Sequence, residues 1–179
     1  MTDEQTPVSL LRSGQAQGDW TLDPAGTTVE FGVRHFWGLI TVRGWFDQVE
    51  GSGTVGPDGS VSGQLIMRAE SLSTKNKQRD KHLRSEDFFN AERHPNAVLT
   101  VTSATPAGDD QLTVTGTLAA AGHEQPVSFT ARAEPDGERA VTLRAELTVD
   151  RTALGMTWSP LGIAAAKATA TVKARFTRN

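Results

Sequence analysis

The chain has 179 residues, no cysteine, and 18 basic against 21 acidic side chains, which gives a formal net charge of −3. That length suits one domain, or at most two very small ones. The lack of cysteine excludes disulfides, thiolate metal sites and a cysteine nucleophile. The slight acidic excess argues against nucleic acid as a partner. Residues 1–18 show no periodicity and predict a flexible tail, which leaves residues 19–179 as a single domain.

The N-terminal residues do not resemble a secretion signal. The start is acidic, and the only apolar cluster, Val8 to Leu11, is interrupted by Ser9. A signal peptide needs a basic start and an apolar run of about 7–15 residues. No stretch of the chain approaches the ~20 apolar residues of a transmembrane segment. These features favour a cytoplasmic protein with no transmembrane segment.

From Trp20 onward, apolar and polar residues alternate in eight successive stretches. A period of two is typical of strands with one buried face. Turn sequences such as Pro135-Asp136-Gly137 separate several of the stretches and favour antiparallel neighbours. The pattern predicts an all-β fold, either an up-and-down barrel or, failing that, a sandwich. The stretches cover residues 29–35, 40–46, 61–69, 97–103, 112–120, 127–133, 141–149 and 168–176.

Two connections are longer than hairpin turns. Residues 71–95 are densely charged, and we predict short helical turns there, with Thr74 or Asn76 as one cap and Ser85 as another. Residues 150–165 also predict short helical turns. Loops of this length are often lids or binding elements. Two apolar residues of the second connection, Met156 and Trp158, are therefore candidates for ligand contact.

The predicted inward faces combine bulky apolar residues with many alanines and glycines. A small eight-stranded barrel either fills itself with side chains or holds one ligand, and both alternatives are open at this point. In a filled barrel, the phenylalanines at positions 31, 46, 129 and 176 occupy the interior. In an apolar tunnel, strand phase predicts the ligand contacts Val29, Phe31, Val33, His35, Ile40, Val42, Phe46, Leu65, Met67, Leu99, Val101, Phe129, Leu143 and Leu147. Among these, His35 offers a polar tip that could orient a ligand head group.

Motifs for catalysis are scarce. The four histidines show no i, i+2 or i, i+4 pair, so a local metal motif is missing. No nucleophile elbow or phosphate-binding loop is present. We therefore predict no enzymatic activity, no catalytic residues, no cofactor and no metal. An enzyme that acts on an amphiphile, with His35 or the carboxylates of Asp80 and Asp87 as acid–base groups, is the alternative.

The charged connection has a second interpretation, which is structural. We expect Arg79, Asp80, Arg84 and Asp87 to hold residues 71–95 against the barrel through charge-assisted hydrogen bonds. Phe88 and Phe89 should anchor the same segment by burial.

The most specific motif lies in this connection, where residues 74–90 read TKNKQRDKHLRSEDFFN and are followed by His94-Pro95. The motif closely resembles the signature of the YceI-like, polyisoprenoid-binding family, in which N-x-x-R-D-x-H-L-R-S-x-D-F-F follows the third main strand. Residues 20–24 and 29–35 look like that family's opening strand, and residues 42–46 look like its second. Asp150-Arg151 with Gly155-Met156 resembles a late turn of the family. The resemblance covers roughly residues 19–178.

This resemblance implies an extended, lipocalin-like barrel of eight antiparallel strands whose pore holds a long chain. The expected ligand is an isoprenoid, a quinone tail or another fatty chain, bound by a carrier or storage protein. The expected partner is thus a long-chain lipid, and the family implies no enzymatic activity. Two further hypotheses stay open, a filled barrel that binds a partner protein and a homodimer.

Overall fold

Antiparallel strands form most of the fold, and a single sheet contains all of them. The computed structural model describes residues 5–179. The helices are α1 (Pro7–Arg12) and α2 (Lys77–Leu83), and 3-10 turns occupy Phe36–Gly38, Ala69–Ser71 and Pro160–Gly162. The strands are β1 (Gly18–His35), β2 (Ile40–Phe46), β3 (Val49–Val55), β4 (Val61–Arg68), β5 (Leu72–Ser73), β6 (Asn96–Pro106), β7 (Gln111–Ala120), β8 (His123–Pro135), β9 (Ala140–Asp150) and β10 (Ala164–Arg178).

Eight strands close into a barrel in the order β1-β3-β4-β6-β7-β8-β9-β10, and β10 pairs with β1. The remaining two strands extend this wall. β1 pairs with β3 near its start, through residues 18–21, and with β2 near its end, through residues 30–35. β4 pairs with β3, and β5 pairs with β2. The prediction of an eight-stranded antiparallel barrel is confirmed. The helical turns expected in residues 71–95 and 150–165 are present as α2 and as the 3-10 turn Pro160–Gly162.

Strand β3 is absent from the sequence prediction. Its sequence is V-E-G-S-G-T-V, in which two glycines and a serine dilute the alternation of apolar and polar residues. The strand forms nonetheless, because it pairs along its whole length with β4 and at four positions with β1. Gly51 lies so close to Leu22 and to the Gln64 carbonyl that a larger residue would collide with them.

A β-bulge in β6 changes which residues face inward. Val101 pairs with Gly116, but Ser103 pairs with Thr115, so Thr102 is the extra residue. The sequence alternation placed Ser103 on the inner face, whereas the structure buries Ala104 there. A bulge shifts the phase of a strand by one residue, and simple alternation cannot show it.

Helix α1 lies within the segment for which the sequence predicted a flexible tail. Thr6 caps it by accepting a hydrogen bond from the Ser9 amide, and a proline occupies the first turn, a position that proline favours. Val8 and Leu11 are buried. The Thr6 Oγ1 hydroxyl donates to the Asp109 carbonyl at 3.1 Å, which ties α1 to the β6–β7 turn. Residues 1–4 of the predicted tail lie outside the described residues.

The interior contains two apolar clusters, one near each end of the barrel. One cluster lies beneath α1 and includes Val8, Leu11, Leu112 and Val114. The other lies toward residues 71–95 and 150–165 and includes the large side chains Phe46, Met67, Leu72, Leu154 and Met156. Among residues 5–179, neither helix has the length and apolar composition needed to cross a membrane.

Candidate functional site

An apolar cavity of about 240 Å³ lies in the half of the barrel beneath α1, which we call the hollow half. Leu10 and Leu11 of α1 cover it from one side. Its wall comes from strands β1, β3, β4 and β6–β10. The main wall residues are Leu65, Leu99, Val101, Val114, Phe129, Ala131, Leu143, Ala145, Leu147, Val172 and Ala174.

The hollow half is empty because many of its inward side chains are short. Ala131, Ala145 and Ala174 each contribute a single methyl group to the wall, so residues on opposite sides of the barrel do not meet. Protein interiors otherwise pack at the density of organic crystals. A run of inward alanines therefore leaves a space that α1 covers without filling.

The other half of the barrel, which we call the filled half, contains aromatic rings. The Phe46 ring lies 5.6 Å from the rings of both Phe31 and Phe89, measured between centroids. Phe89 comes from the connection between β5 and β6, so a segment outside the barrel wall supplies part of this core. Leu72 is completely buried beside these rings.

The sequence-predicted ligand contacts fall in three places. Six line the cavity: Leu65, Leu99, Val101, Phe129, Leu143 and Leu147. Three of these six, Leu65, Leu99 and Leu147, also belong to the apolar cluster of the filled half. Five lie in the filled half: Val29, Phe31, Phe46, Met67 and Met156. Five belong to neither cluster: Val33, His35, Ile40, Val42 and Trp158.

The last group differs most from the expectation of an inward-facing lining. Ile40 is 52% exposed and Trp158 is 44% exposed, because both lie in or beside the turns at the far end of the barrel. His35 does not point at the cavity. Its Nδ1 lies 3.1 Å from the Val33 carbonyl oxygen. Strand phase therefore predicted which face of the sheet these residues occupy. It did not predict how far along the barrel axis, from one end to the other, they lie.

Several cavity residues were not among the predicted ligand contacts. Strand phase in β8–β10 places four of them on the inward face: Ala131, Ala145, Val172 and Ala174. The sequence does not distinguish them from other inward residues of the same strands that lie away from the cavity. Leu10 and Leu11 come from the segment for which the sequence predicts a flexible tail. The one sequence signal for that helix is Thr6-Pro7, a cap residue followed by a proline at the first helical position.

The mouth of the cavity has a polar and aromatic rim. Arg178 lies over the Trp20 ring, with its guanidinium carbon 5.7 Å from the ring centroid. The same guanidinium donates to the Gln15 carbonyl at 2.6 Å, and the Trp20 indole donates to the Ala16 carbonyl at 3.1 Å. Glu138 also lies at this rim. A charged rim on an apolar cavity suits a ligand with a polar end and an apolar chain.

The residues of the enzyme alternative lie away from the cavity. Asp80 is only 7% exposed, and its carboxylate accepts hydrogen bonds from the Thr74 amide at 2.8 Å and the Thr74 hydroxyl at 2.6 Å. Asp87 pairs with His82 at 2.7 Å. Neither residue is part of the cavity wall, so neither carboxylate meets a bound chain there.

Hydrogen bonds of Arg79, Asp80, Arg84 and Asp87 hold residues 71–95 together internally, and β5 pairs the segment with β2 of the wall. Asn76 caps α2, as predicted. The Arg79 Nε donates to the Thr74 hydroxyl at 2.8 Å, and the Arg84 Nη2 donates to the Leu72 carbonyl at 2.7 Å. Because Thr74 also binds Asp80, one buried threonine joins α2 to the end of β5.

The connection of residues 151–163 is organised by one buried arginine. The Arg151 guanidinium donates to the carbonyl groups of Met156, Trp158, Ala164 and Ala165. Burial lowers the pKa of Arg151, and the nearby charge of Asp150 opposes that effect. The loop therefore folds around a cation held by backbone oxygens, and it closes the end of the filled half.

Comparison with known proteins agrees with this geometry. Residues 20–177 match the YceI-like domain family. A UPF0312 protein of Azotobacter vinelandii is 32% identical over 136 residues, which cover 73% of this chain and 70% of that protein.

Two solved structures share the fold. BcnA of Burkholderia cenocepacia superposes with a TM-score of 0.78 at 19% identity and covers 86% of this chain and 98% of its own. A polyisoprenoid binding domain from Saccharophagus degradans, implicated in plant cell wall breakdown, gives 0.74 at 15% identity, with coverages of 89% and 98%. The resemblance seen in the signature segment thus extends along nearly the whole barrel, and the chain belongs to the YceI-like family.

Proposed function

We propose that the protein binds the hydrocarbon chain of an isoprenoid, a quinone or a similar lipid in the hollow half, and that it acts as a carrier or storage protein. The observation that carries this proposal is the cavity wall. Leucine, valine, alanine and phenylalanine side chains make up most of its inner surface, and the charged residues that line it, Glu138 and Arg178, belong to the rim. Such a wall recognises a chain by burial and leaves a head group at the rim.

The size of the cavity sets the length of chain that it accepts unchanged. A volume of about 240 Å³ exceeds the roughly 150 Å³ apolar cavity that accepts benzene. It lies slightly below the roughly 300–1,000 Å³ of most small-molecule sites. A short chain segment therefore fits beneath α1, and a longer one has to displace the helix or extend through the mouth.

The energetics favour a binding protein of modest head-group selectivity. Each buried methylene contributes about 0.8 kcal/mol. Ten of them would supply roughly 8 kcal/mol before the costs of association are subtracted. Affinity should rise with chain length until the cavity is full. The polyisoprenoid binding domain of Saccharophagus degradans, which shares this fold, supports the isoprenoid class.

Native mass spectrometry tests the proposal directly. The purified protein is delipidated, incubated with farnesol, geranylgeraniol or a long polyprenol, and its mass is measured. We expect a one-to-one adduct, which Ala145→Phe weakens because the new ring occupies the cavity. Thr148→Phe is the matched control, since residue 148 is exposed on the same strand. Absence of an adduct with every probe, or an adduct that Ala145→Phe leaves unchanged, contradicts the proposal.

We also propose that the protein has no enzymatic activity, that it is cytoplasmic and that it forms a homodimer. Each of these three points needs its own measurement. Incubation with each bound lipid, followed by mass analysis of that lipid, tests for chemical turnover. Cell fractionation tests the location, and sedimentation velocity tests the dimer.

A further inference from the structure

Two neighbouring turns at the far end of the filled half expose large apolar side chains. Trp37 is 91% exposed, Leu39 is 84% exposed and Leu161 is 98% exposed, and Phe36 is also exposed. We call Phe36, Trp37, Leu39 and Leu161 the apolar tip. Large exposed apolar groups are ordinary when scattered singly. Here they come together at the outermost points of two adjacent turns.

The two turns are joined to each other. The Phe36 amide donates to the Ile163 carbonyl at 2.9 Å, and His35 pairs with Ala164 where β1 meets β10. The turn that follows β1 and the turn that precedes β10 therefore form one protruding edge. All four residues of the apolar tip lie on this edge.

The backbone of this edge adopts an unfavourable conformation. Phe36, Trp37 and Leu161 have φ angles of 51°, 55° and 56°, in the left-handed region that bulky residues rarely occupy. Strained backbone of this kind clusters at functional sites. Three of the four residues of the apolar tip are therefore in this strained conformation, and Leu39 is the exception.

The charges near the apolar tip are mainly positive, although the whole chain is negative. Arg34 and Arg43 are exposed on β1 and β2, and Lys167 is exposed on β10. Lys75, Lys77 and Lys81 are exposed on the adjoining segment around α2, which reaches this end through the contact of His82 with Trp158 at 4.3 Å between ring centroids. Acidic residues are also present at this end, among them Glu86, Asp87, Glu124 and Asp150. Asp87 is paired with His82, and Asp150 is paired with Lys167.

The turns at the opposite end of the barrel have the reverse character. They contain no large apolar residue, and their charged residues are Asp58, Asp109, Asp110, Asp136, Glu138 and Arg139. The molecule therefore has a basic end with an apolar tip and an acidic end beneath α1.

We propose that the apolar tip inserts into the interface of a lipid bilayer whose anionic head groups pair with the surrounding arginines and lysines. Tryptophan and leucine partition into this interface, and basic side chains near it are attracted to anionic lipids. This orientation leaves the cavity mouth, at the opposite end, facing water. The inference does not depend on what the cavity binds, so failure of either proposal leaves the other intact.

Vesicle co-sedimentation tests the proposal. The protein is mixed with vesicles of pure phosphatidylcholine or of equimolar phosphatidylcholine and phosphatidylglycerol. We expect partition into the anionic vesicles, weaker partition into the neutral ones, and a loss on raising salt. Trp37→Ser with Leu161→Ser should lower the partition coefficient by about tenfold or more. Because both side chains are almost fully exposed, the thermal unfolding of this variant should match that of the parent.

A pair of charge variants distinguishes the contribution of the basic end from the effect of net charge on vesicle binding. Arg34→Gln with Arg43→Gln should weaken binding to the anionic vesicles several-fold. Arg132→Gln with Arg139→Gln makes the same change in net charge away from the tip and should leave binding unchanged. Equal losses in the two variants would overturn the proposed orientation.

Three other outcomes would overturn the proposal itself. The first is no sedimentation with either vesicle. The second is sedimentation that the Trp37 and Leu161 variant retains in full. The third is a dimer in sedimentation velocity that this variant dissociates, without vesicle binding, which would assign the tip to contact with a second copy.

Discussion

The filled half and the hollow half belong to one barrel, yet one is a packed core and the other contains a cavity. In the filled half, Phe31 and Phe46 project inward, and residues 71–95 add Phe89. In the hollow half, alanines occupy corresponding inward positions, and α1 covers the space from outside. The contrast shows that barrel architecture alone does not decide whether a lumen exists. Side-chain size and inserted segments decide it.

The largest effect should come from opening the filled half. Phe46→Ala removes a ring that contacts Phe31 and Phe89, and we expect a loss of about 3–5 kcal/mol in the free energy of unfolding. Urea denaturation measures it, with Phe46→Leu as a control that keeps most of the volume and costs less. A loss below about 1 kcal/mol would mean that this half collapses readily around a void, and the distinction between the halves would weaken.

A slightly smaller effect should follow from removing a buried contact within the signature segment. Asp80→Ala leaves the Thr74 amide and hydroxyl without their buried acceptor, at a cost of about 3 kcal/mol. Asp80→Asn keeps one acceptor oxygen and should recover part of that loss. Thermal unfolding measures both variants. If Asp80→Ala unfolded like the parent but lost lipid adducts selectively, the segment would be a ligand contact and not a structural anchor.

In the hollow half, adding bulk should have little effect on stability. Ala145→Phe places a ring in existing space, so we expect a change within about 1 kcal/mol, against the 1–3 kcal/mol that overpacking a dense core costs. The variant should still bind shorter chains in preference to long ones. Denaturation and native mass spectrometry on the same sample measure both effects. Strong destabilisation would indicate that the space closes in solution.

The smallest effect concerns an ion pair on the outer surface of the hollow half. The Arg175 guanidinium donates to Asp136 at 2.6 Å and to Asp23 at 2.8 Å. The hydrogen bond from Arg175 lowers the pKa of Asp136 below its ordinary value. Because the folded-state pKa is the lower one, the carboxylate stabilises the fold above about pH 4, and this contribution disappears as the pH falls through the lowered pKa.

The measurement is the urea midpoint of the parent and of Asp136→Asn from about pH 7 down to about pH 2. The two curves should differ slightly at neutral pH and converge in acid. A difference that stays constant over this range would show that the Asp136 charge contributes nothing to stability.

The sequence predicted the barrel well because alternation is a local property. In β9, Val141, Leu143, Ala145 and Leu147 all line the cavity as strand phase requires. The bulge at Thr102 and the glycine-rich β3 were missed, since each depends on pairing with a distant strand. The caps and arginines of residues 71–95 were recognisable because each makes short-range contacts.

The residues alone left open whether a cavity exists, and they did not predict where it would lie. Phe31 and Phe129 have the same alternating context, but Phe31 packs against Phe89, which lies 58 residues away in the sequence. The alternation of apolar and polar residues within a strand cannot predict that contact. The predicted lining was consequently distributed along the full height of the barrel, and only six of its residues share the cavity wall.

Helix α1 gives the cavity a threshold for ligand length. A chain that fits beneath the helix leaves it docked, whereas a longer chain that pushes it away exposes Val8 and Leu11. Each of these side chains contributes about 1.5–3 kcal/mol when buried, so the longer chain loses roughly 3–6 kcal/mol of its binding energy. Affinity would then rise with carbon number, reach a plateau, and rise again only when the additional buried methylenes offset the free energy lost by displacing α1. The rate of loading by long chains would follow the opening of a six-residue helix and not diffusion.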